Sequence, residues 1–187
     1  MNLFEIGILD FIQEHLRTGF GDLFMSRITV LGDGGILWIA LTLVLLLIPK
    51  TRRVGLCCAV SLLIDLALCN GLIKNLVART RPYVVNPDVV LLIPKPGEYS
   101  FPSGHAAASF TAVGALYFNR SRLWIPACVL AVIIGYSRLY LYVHYPTDVL
   151  FGAAFGILFG FLGTLLVRKA GELMEKRRAK KNGDREE

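Results

Sequence analysis

The sequence predicts an all-α fold, a polytopic transmembrane helical bundle. Three observations carry that prediction. Hydrophobic residues make up 55% of the 187 residues and charged residues only 18%. Several apolar runs approach the roughly 20 residues needed to cross a bilayer. Most basic residues cluster in short segments between those runs or in the tail, the pattern that sets membrane topology. The formal charge of +6 is therefore a topology signal, and no nucleic-acid-binding motif accompanies it. Cys57, Cys58, Cys69 and Cys128 lie inside apolar runs without metal-ligand spacing, so they read as small buried hydrophobes with no disulfide framework. The N-terminus lacks the basic region, apolar core and small-residue site of a cleavable signal peptide.

Residues 2–17 read as an amphipathic helix. Phe4, Ile8, Phe11, Ile12 and Leu16 share one face, and Asn2, Glu5, Gln13, Glu14 and Arg17 lie elsewhere. After Gly19 and Gly21, the residues Phe20, Leu23, Phe24, Ile28 and Leu31 continue a helical pattern with Asp22 and Arg27 as polar members. Those charges favour an interfacial helix, or a short one packed on the bundle, over a lipid-facing span. Gly32-Asp33-Gly34-Gly35 reads as a turn with Asp33 as a helix cap.

Five spans follow. The first covers about 35–48 and ends at Pro49 with Lys50, Arg52 and Arg53. The second covers 54–77, the third 103–118, the fourth 123–141 and the fifth 146–167. The basic clusters at 50–53, 120–122 and 168–181 then share one side, which the positive-inside rule assigns to the cytoplasm. Lys74, Arg79, Arg81, Lys95 and Arg138 break that rule on the outer side and call for another explanation. The stretch 82–102 holds five of the eight prolines; it is expected to be non-helical, an outer loop of the kind that contacts substrate. Gly152, Gly156 and Gly160 repeat at a spacing that serves close helix packing or a dimer face. The whole reads as one membrane-embedded domain over 1–169, with amphipathic helices at 1–31, the outer loop at 82–102, and a basic cytoplasmic tail at 170–187.

Three outer segments carry ionisable residues that apolar surroundings make costly. Lys74 and Arg81 are about two helical turns apart, so both cations face one point if the helix continues to Arg81. Taken alone, they read first as a snorkelling pair at a helix end. Pro102-Ser103-Gly104-His105 opens a span. Ser103 serves as a cap, Gly104 lets a ligand approach the backbone, and free N–H groups at the helix start attract an anion. His105 stands where it can protonate a leaving oxygen. Arg138, His144 and Asp148 form the third segment. A carboxylate four residues from a histidine reaches it across one helical turn and raises its basicity, as a nucleophile or general base requires. Arg138 supplies a planar fork for an oxyanion. Asp65, roughly 13 Å of helix below Lys74, reads as a structural partner inside the bundle.

Lys74-x₆-Arg81-Pro82, Pro102-Ser103-Gly104-His105 and Ser137-Arg138-x₅-His144-x₃-Asp148 together resemble the three-part signature of the type 2 phosphatidic acid phosphatase superfamily, with no position departing from it. The resemblance implies that His144 attacks phosphorus and forms a phosphohistidine. It implies that Asp148 orients His144, and that His105 protonates the leaving oxygen and then activates water. Lys74, Arg81, Arg138, Ser103 and the Gly104 amide would hold the phosphoryl oxygens. No cofactor and no metal ligands are expected, because cations supply the charge stabilisation. The implied partners are a lipid phosphate substrate and the surrounding membrane lipids, with no nucleic acid. The size resembles small bacterial undecaprenyl diphosphate phosphatases of the cell membrane, with the site on the outer face and the C-terminus in the cytoplasm. Phosphatidylglycerophosphate phosphatases, phosphatidic acid phosphatases and lipid phosphotransferases share the signature and stay open as alternatives.

Overall fold

A computed structural model describes residues 3–183. Asn2 of the expected N-terminal helix and residues 184–187 of the tail lie outside the described residues. Every regular element among the described residues is helical. The α-helices are α1 (Leu3–Phe11), α2 (Gly19–Ile28), α3 (Ile36–Leu47), α4 (Arg52–Asp65), α5 (Lys74–Val77), α6 (Pro82–Val85), α7 (Gly104–Phe118), α8 (Trp124–Tyr140) and α9 (Pro146–Gly183). A π-helical stretch, Leu66–Ile73, joins α4 to α5, and a 3₁₀ stretch, Thr29–Gly35, joins α2 to α3.

Three helical segments are long and apolar enough to cross a membrane: Gly19–Leu47, Arg52–Val85 and Pro146–Arg177. The shorter apolar helix Trp124–Tyr140 accompanies them. Many of their outward side chains are large and apolar, among them Leu43, Leu63, Val129 and Leu166, as a lipid-facing surface requires. The protein is thus an all-helical membrane protein.

α7 is the central helix and packs on α9, α8 and α4. Its sequence explains this role, since Ala106, Ala107, Ala108, Ala112 and Ala115 are all buried and let neighbours approach closely. α9 meets it with the glycine stripe. A Cβ on Gly152 would lie 2.7 Å from the Ser103 carbonyl oxygen, and one on Gly160 would lie 2.6 Å from the Ala115 nitrogen. The stripe therefore serves packing within the bundle, the first of its two sequence readings. Backbone cannot give way as a side chain can, so Gly160→Val is expected to destabilise the fold by about 1–3 kcal/mol through overpacking. Thermal unfolding in detergent measures this, and an unchanged midpoint would contradict the packing described.

Several local expectations need correction. The 82–102 stretch is not wholly non-helical, because Pro82 sits at the start of one helical turn, where its missing N–H costs nothing. Asp33 does not cap α3. Gly35 occupies the N-cap position without a side-chain bond, and Asp33 turns toward α7 instead. The apolar face of the N-terminal helix is divided. Phe4 and Phe11 point outward, Ile12 is buried with Ile8 packed on the same cluster, and Glu5 and Leu9, from outside that face, are buried as well. The reason is that Glu5 has ionic partners waiting inside the bundle.

Candidate active site

Lys74 reaches its position because the helix changes its winding below it. The π-helical stretch replaces i→i+4 bonding with i→i+5 bonding, so residues four to five apart share a face. Asp65, Asn70 and Lys74 consequently line one cavity. The helix does not continue to Arg81 as the spacing argument required. It ends at Val77, where Ala78 adopts φ 47°, a left-handed conformation that redirects the chain. Arg81 then returns to the cavity from an extended backbone. Both cations meet at one place, by a chain reversal instead of two helical turns.

Arg81 is 5% exposed and held on three sides. Its Nε donates to the Glu98 carbonyl at 2.6 Å, and its Nη1 donates to the Val143 carbonyl at 2.9 Å. The same Nη1 lies 3.2 Å from His144 Nε2. Lys74 Nζ pairs with the Glu98 carboxylate at 2.5 Å. That hydrogen bond and the ammonium charge hold the Glu98 carboxyl below the usual carboxylate range. The Pro94–Glu98 loop therefore forms one wall of the cavity.

Ser103 is the N-cap of α7, its Oγ accepting from the Ala106 N–H at 3.5 Å. This hydroxyl caps the helix and is not among the cavity walls, whereas Gly104 and His105 are. His105 Nε2 lies 2.9 Å from Asp33 Oδ1. Gly32 makes room for the ring, since a Cβ there would lie 2.5 Å from His105 Cδ2. Asp33 is thus a partner of His105 that sequence reading placed in another role. Arg138 is 3% exposed. Its Nη1 donates to Thr29 Oγ1 at 2.5 Å, and its Nε has no protein partner although the side chain lines the cavity.

His144 sits in the short turn between α8 and α9. Tyr142, at φ 60°, makes that turn, and its buried hydroxyl donates to Asp10 Oδ1 at 2.6 Å. Because His144 precedes the helix, its contact with Asp148 is not made across a helical turn. Instead Asp148 folds back to the start of α9. Its Oδ2 accepts from the Tyr145 N–H at 2.9 Å and lies 3.5 Å from His144 Nδ1. The neighbours place the proton on Nδ1, leaving the Nε2 lone pair toward Arg81 and the cavity. Burial, with the Arg81 and Arg138 charges adding to it, pushes the imidazole below its ordinary pKa against the opposing pull of Asp148. His144 is accordingly neutral, the state a nucleophile needs.

Two further contacts on Asp148 escaped the sequence reading. Arg79 Nη1 donates to Oδ1 at 2.6 Å, and Ser100 Oγ donates to Oδ2 at 2.5 Å. Arg79 was legible only as one of the basic residues out of place on the outer side. Lys74, Arg81, Gly104, His105, Arg138 and His144 all border one cavity of about 640 Å³. Ser103 and Asp148 stand behind that wall. Asp65 lines the same cavity with Oδ1 unpartnered. Among the described residues no group of three or more His, Cys, Asp or Glu side chains gathers as a metal site.

This helical membrane protein brings four cations, Lys74, Arg81, Lys95 and Arg138, with two histidines and a helix N-terminus, to one cavity, an arrangement with the charge to hold a phosphate. The chain belongs to the PAP2 superfamily, whose pattern matches residues 54–172. It is 40% identical over 127 residues to an undecaprenyl-diphosphatase of Sulfolobus acidocaldarius, covering 67% of this chain and 61% of that protein. It is 33% identical over 169 residues to a lipid A 4′-phosphatase of Bacteroides thetaiotaomicron, covering 82% of this chain and 73% of that one. The crystal structure of the PAP2-type phosphatidylglycerolphosphate phosphatase of Bacillus subtilis superposes with a TM-score of 0.72 at 28% identity, covering 90% of this chain and 88% of that one.

Proposed function

We propose that this chain is an integral membrane lipid phosphatase that removes the terminal phosphate of a lipid phosphate or diphosphate, undecaprenyl diphosphate first among them, without a metal ion. One observation carries the reading. The wall of the cavity includes both the charged or basic side chains Lys74, Arg81, Arg138, His105 and His144 and the apolar side chains Ile39, Leu62 and Leu66, a match for an amphiphile with a phosphate head.

In the proposed reaction His144 Nε2 attacks phosphorus in line. An N–P bond forms as the P–O bond to the lipid breaks, and His105 gives its proton to the departing oxygen. Asp33, with Oδ1 2.9 Å from His105 Nε2, fixes the orientation of the ring that moves this proton. Water then attacks the phosphohistidine. His105 takes the water proton, the N–P bond breaks, and its electron pair returns to His144. Lys74, Arg81, the free Arg138 Nε and the Gly104 amide hold the phosphoryl oxygens throughout, with Ser103 shaping the helix start they share. Charge stabilisation of this kind is the main demand of phosphoryl transfer.

The topology that accompanies this reading has five spans, with residues 1–31 at the interface and residues 1–169 as the membrane-embedded phosphatase domain. The basic clusters and the tail at 170–187 would face the cytoplasm, and the site would open on the outer face of the cell membrane. Phosphatidylglycerophosphate is the second reading, favoured by the Bacillus subtilis likeness over 90% of this chain; phosphatidic acid follows on the same signature. The test is phosphate release by the purified protein from all three lipids, with candidate lipid acceptors added in parallel. Fastest release from undecaprenyl diphosphate is expected. A preference for phosphatidylglycerophosphate would move the assignment to the second reading. Transfer of the phosphoryl group to an added lipid would make the protein a transferase, and no turnover of any lipid would overturn the proposal.

A further inference from the structure

Glu5 is a carboxylate on the N-terminal helix, remote in sequence from the three signature segments, yet it is 3% exposed. Its Oε1 accepts from the Thr147 N–H at 3.0 Å and from the Thr147 hydroxyl at 2.6 Å. Its Oε2 accepts from Arg79 Nη2 at 2.6 Å. The other arm of the same guanidinium donates to Asp148 at 2.6 Å and to Thr147 Oγ1 at 2.8 Å. The Arg79 guanidinium also lies 3.9 Å over the Tyr145 ring, which fixes its plane. Burial works to raise the Glu5 pKa, but the Thr147 hydrogen bonds and Arg79 outweigh it, so Glu5 is ionised.

Asp148 is shared between two competitors. Arg79 holds Oδ1 at 2.6 Å, while His144 Nδ1 stands 3.5 Å from Oδ2. A guanidinium that served Asp148 alone would cancel the carboxylate charge that the imidazole needs. With Glu5 on its second arm, the Glu5–Arg79–Asp148 group keeps one net negative charge beside His144. Without the Glu5 charge, His144 would face a neutral pair.

We propose that Glu5 is a positioning residue for the nucleophile, acting through Arg79 to keep the Asp148 carboxylate effective on His144. The inference rests on the reading of His144 as the nucleophile. It ties the N-terminal helix to the chemistry as well as to the bundle.

Glu5→Gln keeps the shape and removes the charge. Its kcat for lipid phosphate hydrolysis is expected to fall about 10–100-fold, the usual effect of losing an outer partner of a reactive group, with KM nearly unchanged because the phosphate cradle is intact. Adding Arg79→Gln to that variant removes the competitor, so the double variant should turn over faster than Glu5→Gln alone. A merely structural role predicts the reverse, since two anchors are then lost. Wild-type kcat in Glu5→Gln, or a double variant slower than the single, would overturn the inference. Should Glu5→Gln fail to fold, Arg79→Lys reads the same chain. Lysine keeps the charge but cannot bridge both carboxylates, so kcat should fall with KM held, and a wild-type kcat would overturn the inference. The chain has only three histidines, so the His144 ¹⁵N resonances can be followed without substrate. The Nδ1 signal should move toward that of a free neutral imidazole in Glu5→Gln, and an unmoved signal would overturn the inference. If the wild type releases no phosphate from any lipid, the proposed function fails, and the resonance alone decides the role of Glu5.

Discussion

His144→Ala is expected to abolish phosphate release from every lipid substrate, lowering the rate by on the order of 10⁵-fold or more. The size of the effect follows from geometry. The cavity offers one neutral imidazole nitrogen with its lone pair toward Arg81 and its other edge toward a carboxylate. Removing it leaves the cationic cradle intact but supplies no atom to bond to phosphorus. Substrate binding should therefore survive, and a tight, unproductive complex is the expected phenotype. Phosphate release at the wild-type rate would end the nucleophile assignment.

Asp148→Asn should cost about 10³–10⁴-fold in kcat, by the same physics through which an amide in place of a triad carboxylate spoils the histidine tautomer. Here the amide has no comfortable orientation. Oδ1 receives Arg79, and Oδ2 receives Ser100 and the Tyr145 N–H, with the His144 edge 3.5 Å away. Whichever way an asparagine turns, its NH₂ group meets a donor. The loss of charge also leaves Arg79 with one carboxylate in place of two, and breaking such a pair costs stability as well, on the order of 3–5 kcal/mol when one member is buried. The measurement is kcat on folded, monodisperse protein, with the unfolding midpoint followed alongside. A fully active Asp148→Asn enzyme would show that His144 needs no carboxylate.

Much of this site was legible because its chemistry is expensive. Charged side chains in an apolar chain announce themselves, and Lys74, Arg81, Arg138, His105, His144 and Asp148 were found on that ground. What could not be read was how the backbone brings them together. Two of the spacing arguments reached the right meeting place by the wrong route. Lys74 and Arg81 do not share a continuous helix, because Ala78 turns the chain. His144 and Asp148 do not sit one helical turn apart, because His144 lies before α9 begins. Periodicity carries no signal for a left-handed alanine or for a carboxylate folding back on a helix start.

The amphipathic helix shows a different limit. Its phenylalanines were placed together correctly, but a hydrophobic face can seek either the core or the lipid. In a membrane protein both are apolar, and the decision rested on Glu5, whose partners Arg79 and Thr147 are far away in sequence. Asp33 fails for the same reason. A turn aspartate beside glycines has every local mark of a cap, and only the fold brings His105 to within 2.9 Å of it.

The central claim is that the phosphoryl group passes through a covalent bond to His144. The stereochemical course at phosphorus tests it most directly. A lipid substrate whose terminal phosphoryl group is made chiral with sulfur and oxygen isotopes is hydrolysed, and the configuration of the product is read. Each in-line displacement inverts the centre. Attack by His144 followed by attack of water predicts net retention. Net inversion would mean that water attacks the lipid phosphate in one step, and would contradict the account.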